Sequence, residues 1–224
     1  MDKTRAVLFD IDGTLISTGG ASDRAWKRAF KELHEVDVDV PAVTGKGVPD
    51  PQVGRVVFER AIGREPTEEE AEALMRRRLD HLPEEVHDSP GYVVKDGVVE
   101  LMERLIEEGV MLGLTTGNVE EAAHVKLSRA NLNRFFSFGG FGSDSPDRTE
   151  LTKKALERGD FVSGHTLDFD RSFSCGDTPR DVEAGHGAGL RVVGVATGEF
   201  TKEELLEAGA DAAIPSFHKG LPLL

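Results

Sequence analysis

Apolar positions along this chain follow two rhythms. Ala6-Val7-Leu8-Phe9 is an unbroken apolar run that reads as a buried parallel strand, and Gly13 marks where it must stop. β-like runs then vanish for about seventy residues. Over Ala21 to Val36, residues Ala25, Trp26, Ala29, Phe30 and Leu33 recur at helical spacing. Asp50-Pro51 opens a second helix with Val53, Val56, Val57 and Ile62 on its apolar face. Thr67-Glu68-Glu69-Glu70 predicts a capping box for a third, carrying Ala71, Leu74, Met75, Leu79 and Leu82 and ending near Pro83. These stripes are the core of a small helical bundle, and Pro90-Gly91 marks a return linker.

From Val98 the rhythm becomes alternating helix and strand. Helices are expected over 98–108, 119–130, 150–158, 181–188 and 202–208, with strands over 110–115, 135–138, 172–175, 191–195 and 212–214. Such alternation predicts an α/β fold, a doubly wound parallel sheet with a Rossmann-like core. The helical block lies between the first strand and the next β/α unit. An insertion there rises from the carboxyl ends of the strands, where open α/β sheets bind ligands. Residues 1–16 and 95–224 are therefore expected to form the core. Residues 17–94 form the inserted helical block, with crossings near Ile16–Gly20 and Asp88–Val94.

Composition narrows the field. The 224 residues suffice for one sizeable core and a small second domain, and contents of 38% hydrophobic and 30% charged residues describe a globular protein. No stretch approaches the roughly 20 apolar residues of a membrane span. The start runs directly into the first strand with no room for a signal peptide, so the expected location is cytoplasmic. A net charge of −14 disfavours nucleic acid and anionic membrane as partners. It says nothing against a small phosphate ester, which needs only local cations. Oligomeric state is not legible. The single cysteine, Cys175, excludes an internal disulfide and reads as a buried residue closing a strand.

The chemistry concentrates where strands end. Asp10 and Asp12 lie towards the same side of an extended chain, with Ile11 pointing away. One carboxylate can attack an electrophile while the other moves protons, and two held close attract a hard divalent cation. The same residues also suit an ordinary turn. Thr115-Thr116-Gly117-Asn118 follows an apolar strand and starts a helix, which offers a hydroxyl and free amides to a phosphate; Asn118 either joins that site or only caps the helix. Asp177 ends a strand ahead of Pro179, and Asp181 falls in the following first helical turn. Gly45-Lys46-Gly47 could reach over the site to read a second anionic group, or be a flexible exposed loop. His34, His124 and His186 lack metal-ligand spacing.

Four of these stretches, in this order, resemble the haloacid-dehalogenase-like hydrolases, in particular their phosphoglycolate-phosphatase-like branch. They are Asp10-Ile11-Asp12-Gly13-Thr14-Leu15, Leu114-Thr115-Thr116-Gly117-Asn118, a basic position near Arg148, and Gly176-Asp177-Thr178-Pro179-Arg180-Asp181. The resemblance implies a Mg2+-dependent phosphatase acting on a small phosphorylated metabolite, phosphoglycolate being one candidate. Asp10 would be the nucleophile, passing through an aspartyl-phosphate, and Asp12 the acid–base. Thr116, Gly117 and Arg148 would bind phosphate. Asp10, the backbone carbonyl of Asp12, and Asp177 would hold the ion, with Asp181 behind them orienting water. The helical block would be a cap. Arg148 stands where the family usually presents a lysine, with Lys153 and Lys154 as solvated alternatives. A phosphosugar mutase uses the same signatures, while a dehalogenase would need neither Asp12 nor Mg2+. A phosphonate hydrolase would need a Schiff-base lysine, Lys46 being the suspect. A non-catalytic binding module is the alternative outside enzymes.

Overall fold

A computed structural model describes residues 4–222; Met1–Lys3, ahead of the first strand, lie outside them. Six parallel strands form the main sheet in the order β5-β4-β1-β6-β7-β8. They are β1 (Ala6–Phe9), β4 (Met111–Thr116), β5 (Phe138–Phe141), β6 (Phe173–Gly176), β7 (Arg191–Val195) and β8 (Ala212–Ile214). Side-chain alternation along β1 sends Val7 and Phe9 to one face and Ala6 and Leu8 to the other. The first pair packs with Leu101, Met102 and Leu127 of α5 (Val98–Glu107) and α6 (Glu120–Ser128). The second packs with Ala155 and Leu156 of α7 (Arg148–Ser163). Both faces are thus covered, which is why β1 is apolar throughout. Helices α8 (Pro179–Gly187) and α9 (Lys202–Glu207) complete the layers.

The insert comprises α1 (Ala21–His34), α2 (Val40–Val43), α3 (Asp50–Ile62) and α4 (Glu68–Asp88). It has its own apolar cluster, in which Trp26, Phe30, Val57, Phe58 and Leu74 meet. Its two crossings pair with each other: β2 (Ile16–Ser17) and β3 (Val93–Val94) form an antiparallel ribbon. The ribbon and α2 carry too few residues to leave a periodic signal.

Three expectations are corrected. Helix α4 does not end near Pro83 but continues to Asp88. Leu82 and Val86, either side of the proline, are buried with Ala21, Ala25 and Ala122, and this packing outweighs a cost of about 3 kcal/mol for an internal proline. The strand expected over 135–138 lies over Phe138–Phe141, preceded by a 3-10 turn at Leu132–Phe135. Its glycines hid it, yet a side chain at Gly140 would collide with the Leu151 carbonyl of α7, so close helix packing demands glycine there. Leu33 and Val56, placed on apolar stripes, are exposed. Among the described residues, no helix is long and apolar enough to cross a membrane.

Candidate functional site

The register places the chemistry. Phe9, the last residue of β1, pairs with Leu114 on one side and Cys175 on the other. The three adjacent strands therefore end together, with Asp10, Thr116 and Asp177 within one residue of the same level. The Asp10 N–H still donates to the Cys175 carbonyl at 3.0 Å, fixing its position at the strand's end. This is the crevice where successive connections depart to opposite sides of β1. It opens into a cavity of about 680 Å3 roofed by the insert.

Asp10, Asp177 and Asp181 form the floor, each offering an oxygen within 4.8 Å of the others. Asp10 and Asp177 are buried. Burial raises the Asp10 pKa to about 7, helped by the charge of Asp181 and opposed by Arg148. Burial and the charges of Asp181 and Asp10 raise Asp177 to about 8. Arg148, at the first position of α7, donates to Asp10 at 3.3 Å and to Asp181. Its backbone carbonyl accepts from the Thr152 hydroxyl at 2.7 Å, which lies 2.7 Å from the Thr115 hydroxyl, so β4 steadies the start of α7. Lys153 and Lys154 are exposed and pair with Glu150 and Glu157. Asp181 closes a capping box with Thr178 through one oxygen and meets Arg148 with the other, leaving neither free.

The cluster's donor set fits a hard divalent cation: buried carboxylate oxygens, crowded enough to resist joint ionisation, with too little positive charge to balance them. The Asp12 carboxylate is not part of this cluster. It is 41% exposed towards the cavity and accepts from Lys126 Nζ at 2.6 Å and Asn118 Nδ2 at 2.7 Å. Burial works to raise its pKa, but the Lys126 charge and these hydrogen bonds prevail and hold it below the ordinary range.

Asn118 is not the helix cap. Its amide donates to Asp12 and to Thr116 Oγ1, and its oxygen accepts from Lys126 at 2.5 Å. Thr116, fully buried at the end of β4, accepts two bonds from Asn118 and so has its own O–H to give. A side chain at Gly117 would press on Pro49 of the insert at 3.0 Å and on Arg148 at 3.3 Å, so the close approach of roof and floor requires glycine.

Lys126 is the main residue that the sequence reading missed. Its signal is there: Ala122, Ala123, Lys126 and Leu127 make one buried stripe, and a lysine inside such a stripe needs an anionic partner. Asp50 does more than open α3. It binds the fully buried Arg78 at 2.8 Å and accepts from the Val119 N–H at 3.0 Å, tying the insert to the start of α6. Lys46 lies on the roof loop, exposed, 3.4 Å from Glu199 of the core. The Gly47 carbonyl accepts from Arg148 at 3.1 Å. Cys175 is buried, with its thiol pKa pushed well up by burial. His124 and His186 are engaged by Asn133 and Asp211, while His34 packs edge-on to Phe58.

A two-sided parallel sheet with an acidic crevice between diverging connections defines a doubly wound α/β protein with a ligand site at its topological switch point. The sequence pattern of the haloacid dehalogenase-like hydrolases matches residues 7–195, and the chain belongs to that family, in its phosphoglycolate-phosphatase-like branch. It is 25% identical over 227 residues to a phosphoglycolate phosphatase of Agrobacterium fabrum, spanning 97% of this chain and 91% of that protein. It is 26% identical over 220 residues to a phosphorylated carbohydrates phosphatase of Thermotoga maritima, spanning 93% of each. Among solved structures, CbbY from Rhodobacter sphaeroides in complex with phosphate superposes with a TM-score of 0.73 at 20% identity, over 96% of this chain and 95% of that one.

Proposed function

We propose that the chain is a Mg2+-dependent phosphatase that hydrolyses a small phosphorylated metabolite through a phosphoryl-Asp10 intermediate. One observation carries this reading: a buried carboxylate at the end of β1 shares its cavity with the Arg148 guanidinium, 3.3 Å away, and with the free O–H of Thr116. Phosphoryl transfer asks for that combination of nucleophile and charge-neutralising donors.

Asp10 attacks phosphorus as the bond to the leaving oxygen breaks, and that oxygen takes a proton from Asp12. Water then attacks the phosphoryl-Asp10 and gives its proton to Asp12, which releases inorganic phosphate and restores Asp10. Arg148 and Thr116 hold the phosphoryl oxygens throughout. Asp10, Asp177 and the Asp12 backbone carbonyl would hold the ion, which supplies further neutralisation of phosphoryl charge. Asp181 keeps Arg148 in place. Lys126 and Asn118 aim the Asp12 carboxyl at the leaving group.

In the same reading residues 17–94 are a cap whose hinges are Ile16–Gly20 and Asp88–Val94, and it limits water during the first transfer. Support comes from the roof loop Thr44–Val48, which lines the cavity above Asp10. The cytoplasm is the location that goes with it. Phosphoglycolate is a substrate candidate from the names of relatives. Hydrolysis of p-nitrophenyl phosphate, abolished by EDTA and restored by Mg2+, with phosphate released in step with nitrophenol, is the expected result. A well-folded protein with no such activity would remove the reading. Sugar-phosphate turnover without free phosphate would replace it with a mutase.

A further inference from the structure

Asn118 reaches Asp12 from a short loop between two regular elements. Thr116 closes β4 and Glu120 opens α6, which leaves residues 117–119 between them. The Asn118 carbonyl accepts from the Gly142 N–H at 2.7 Å, a contact within the core. The groups on either side of it are held by one residue of the insert. The Asp50 N–H donates to the Gly117 carbonyl at 2.8 Å, and Asp50 Oδ2 accepts from the Val119 N–H at 3.0 Å. Asp50 thus brackets Asn118, with its backbone on one side and its carboxylate on the other. The residue is itself fixed: the same Oδ2 accepts from Arg78 of α4 at 2.8 Å. Arg78 has no exposed surface, donates to Ser22 Oγ at 3.0 Å and lies 4.8 Å over the Trp26 ring. The helix dipole accounts for an acid in the first turn of α3. It does not account for a carboxylate whose bonds go to another helix and to the core.

We infer, resting on the phosphatase reading above, that Asp50 is a positioning residue for the acid–base step. It acts through Asn118 and not on the substrate. Asn118 Nδ2 donates to Asp12 at 2.7 Å, and Asn118 Oδ1 accepts at 2.5 Å from Lys126, the other donor to Asp12. Moving Asn118 therefore disturbs both side-chain bonds that aim the Asp12 carboxyl. Without the Asp50 carboxylate the Val119 N–H loses its acceptor, and the loop can turn about the bonds that remain at Gly117 and Asn118. A displacement of about 1 Å at a group that moves a proton can cost on the order of a hundredfold in rate. In this way the insert sets the geometry of the acid from behind the loop, through a residue 38 positions away from Asp12 in the chain.

The test measures kcat and KM with Mg2+ on the full chain, for glycerol phosphate and p-nitrophenyl phosphate. Asp50→Ala alone would strand the buried Arg78 charge and so damage the fold as well as the loop. Two double variants avoid this: Asp50→Asn with Arg78→Met, and Asp50→Ala with Arg78→Met. Both lack the ion pair, and they differ in whether an oxygen remains for the Val119 N–H. The alanine form should fall below the asparagine form by roughly ten- to a hundredfold in kcat for glycerol phosphate. The drop should be markedly smaller for p-nitrophenyl phosphate, whose leaving group needs little protonation. Should the alanine form fold poorly, Asp50→Leu with Arg78→Met keeps the shape of asparagine without its oxygen. Equal kcat in the two folded forms would overturn the inference. Equal losses for the two esters would overturn it as well, since a merely structural role lowers both alike. Wild-type silence towards both esters would instead take down the phosphatase reading and the inference with it.

Discussion

The cavity's floor and its adjoining wall are built from the same residue type and are opposite in character. On the floor, Asp10 and Asp177 are buried beside Asp181, with Arg148 as the cation in direct contact, and their pKa values rise to about 7 and about 8. On the wall, Asp12 faces the cavity and is gripped by Lys126 and Asn118, and its pKa falls. Two positions of sequence separate Asp10 from Asp12, so local sequence does not set the contrast. Partners from elsewhere do: Arg148 and Asp177 arrive from α7 and β6, Lys126 from α6. The wall is electrostatically complete as it stands. The floor is incomplete, and a cation is what it lacks. That division suits a site in which one carboxylate waits for a charged substrate and ion while the other handles protons.

Removing the nucleophile should break the contrast most severely. Asp10→Asn should lower kcat for p-nitrophenyl phosphate on the order of 10^4-fold or more, the scale seen when a nucleophile is lost. It should also raise the melting temperature of the metal-free protein, because one crowded carboxylate has become neutral. Near-normal turnover would defeat the assignment of Asp10. Asp12→Asn should cost roughly 10^2- to 10^4-fold in kcat with alkyl phosphates and markedly less with p-nitrophenyl phosphate, whose leaving group needs little protonation. Equal losses across leaving groups would count against an acid role. Lys126→Met should cost less, about ten- to a hundredfold, with the same dependence on leaving group. It should also move the limb of the pH–rate profile that Asp12 sets to higher pH, since the charge that depresses Asp12 is gone. An unmoved limb would mean that Lys126 only fills space.

The contrast also marks the limit of what the chain reveals residue by residue. Most of the floor and the hydroxyl beside it were legible because they sit at strand ends, which periodicity locates: Asp10 after Ala6–Phe9, Thr116 closing Met111–Thr116, Asp177 after Phe173–Gly176. Sheet order then brings them together. The wall was not legible, because Lys126 lies in the third turn beyond Asn118 and its partner is 114 residues earlier in the chain. Arg78 and Asp50 were hidden similarly, since an ion pair buried between helices leaves no periodic trace. Errors of element boundary came from Gly and Pro. At Gly140 and Pro83 tertiary packing overruled local preference, and a single sequence records the preference but not the packing.

Floor and wall should also respond differently to pH and metal. Asp10 and Asp177 have folded-state pKa values above the ordinary 3.8. Their contribution to stability is therefore fully present below that value and is lost as pH rises through about 7 and about 8. The metal-free protein should melt at progressively lower temperature from pH 5 to 8.5, while saturating Mg2+ should remove most of that slope. Mg2+ at 100 times its Kd is worth about 2.7 kcal/mol. A Mg2+ effect on melting that stays constant across this range would show that the ion does not engage the floor.

The smallest effect belongs to the roof. Lys46 and Glu199 are 60% and 68% exposed, and so open a pair contributes about 0–1 kcal/mol. Lys46→Ala should therefore change KM for glycerol phosphate by less than about threefold, the most that a pair of that strength allows. Its value lies in the ratio between substrates. If Lys46 leaves Glu199 to grip a second anion, KM for phosphoglycolate will climb well beyond that for glycerol phosphate. If it stays paired, both will move together.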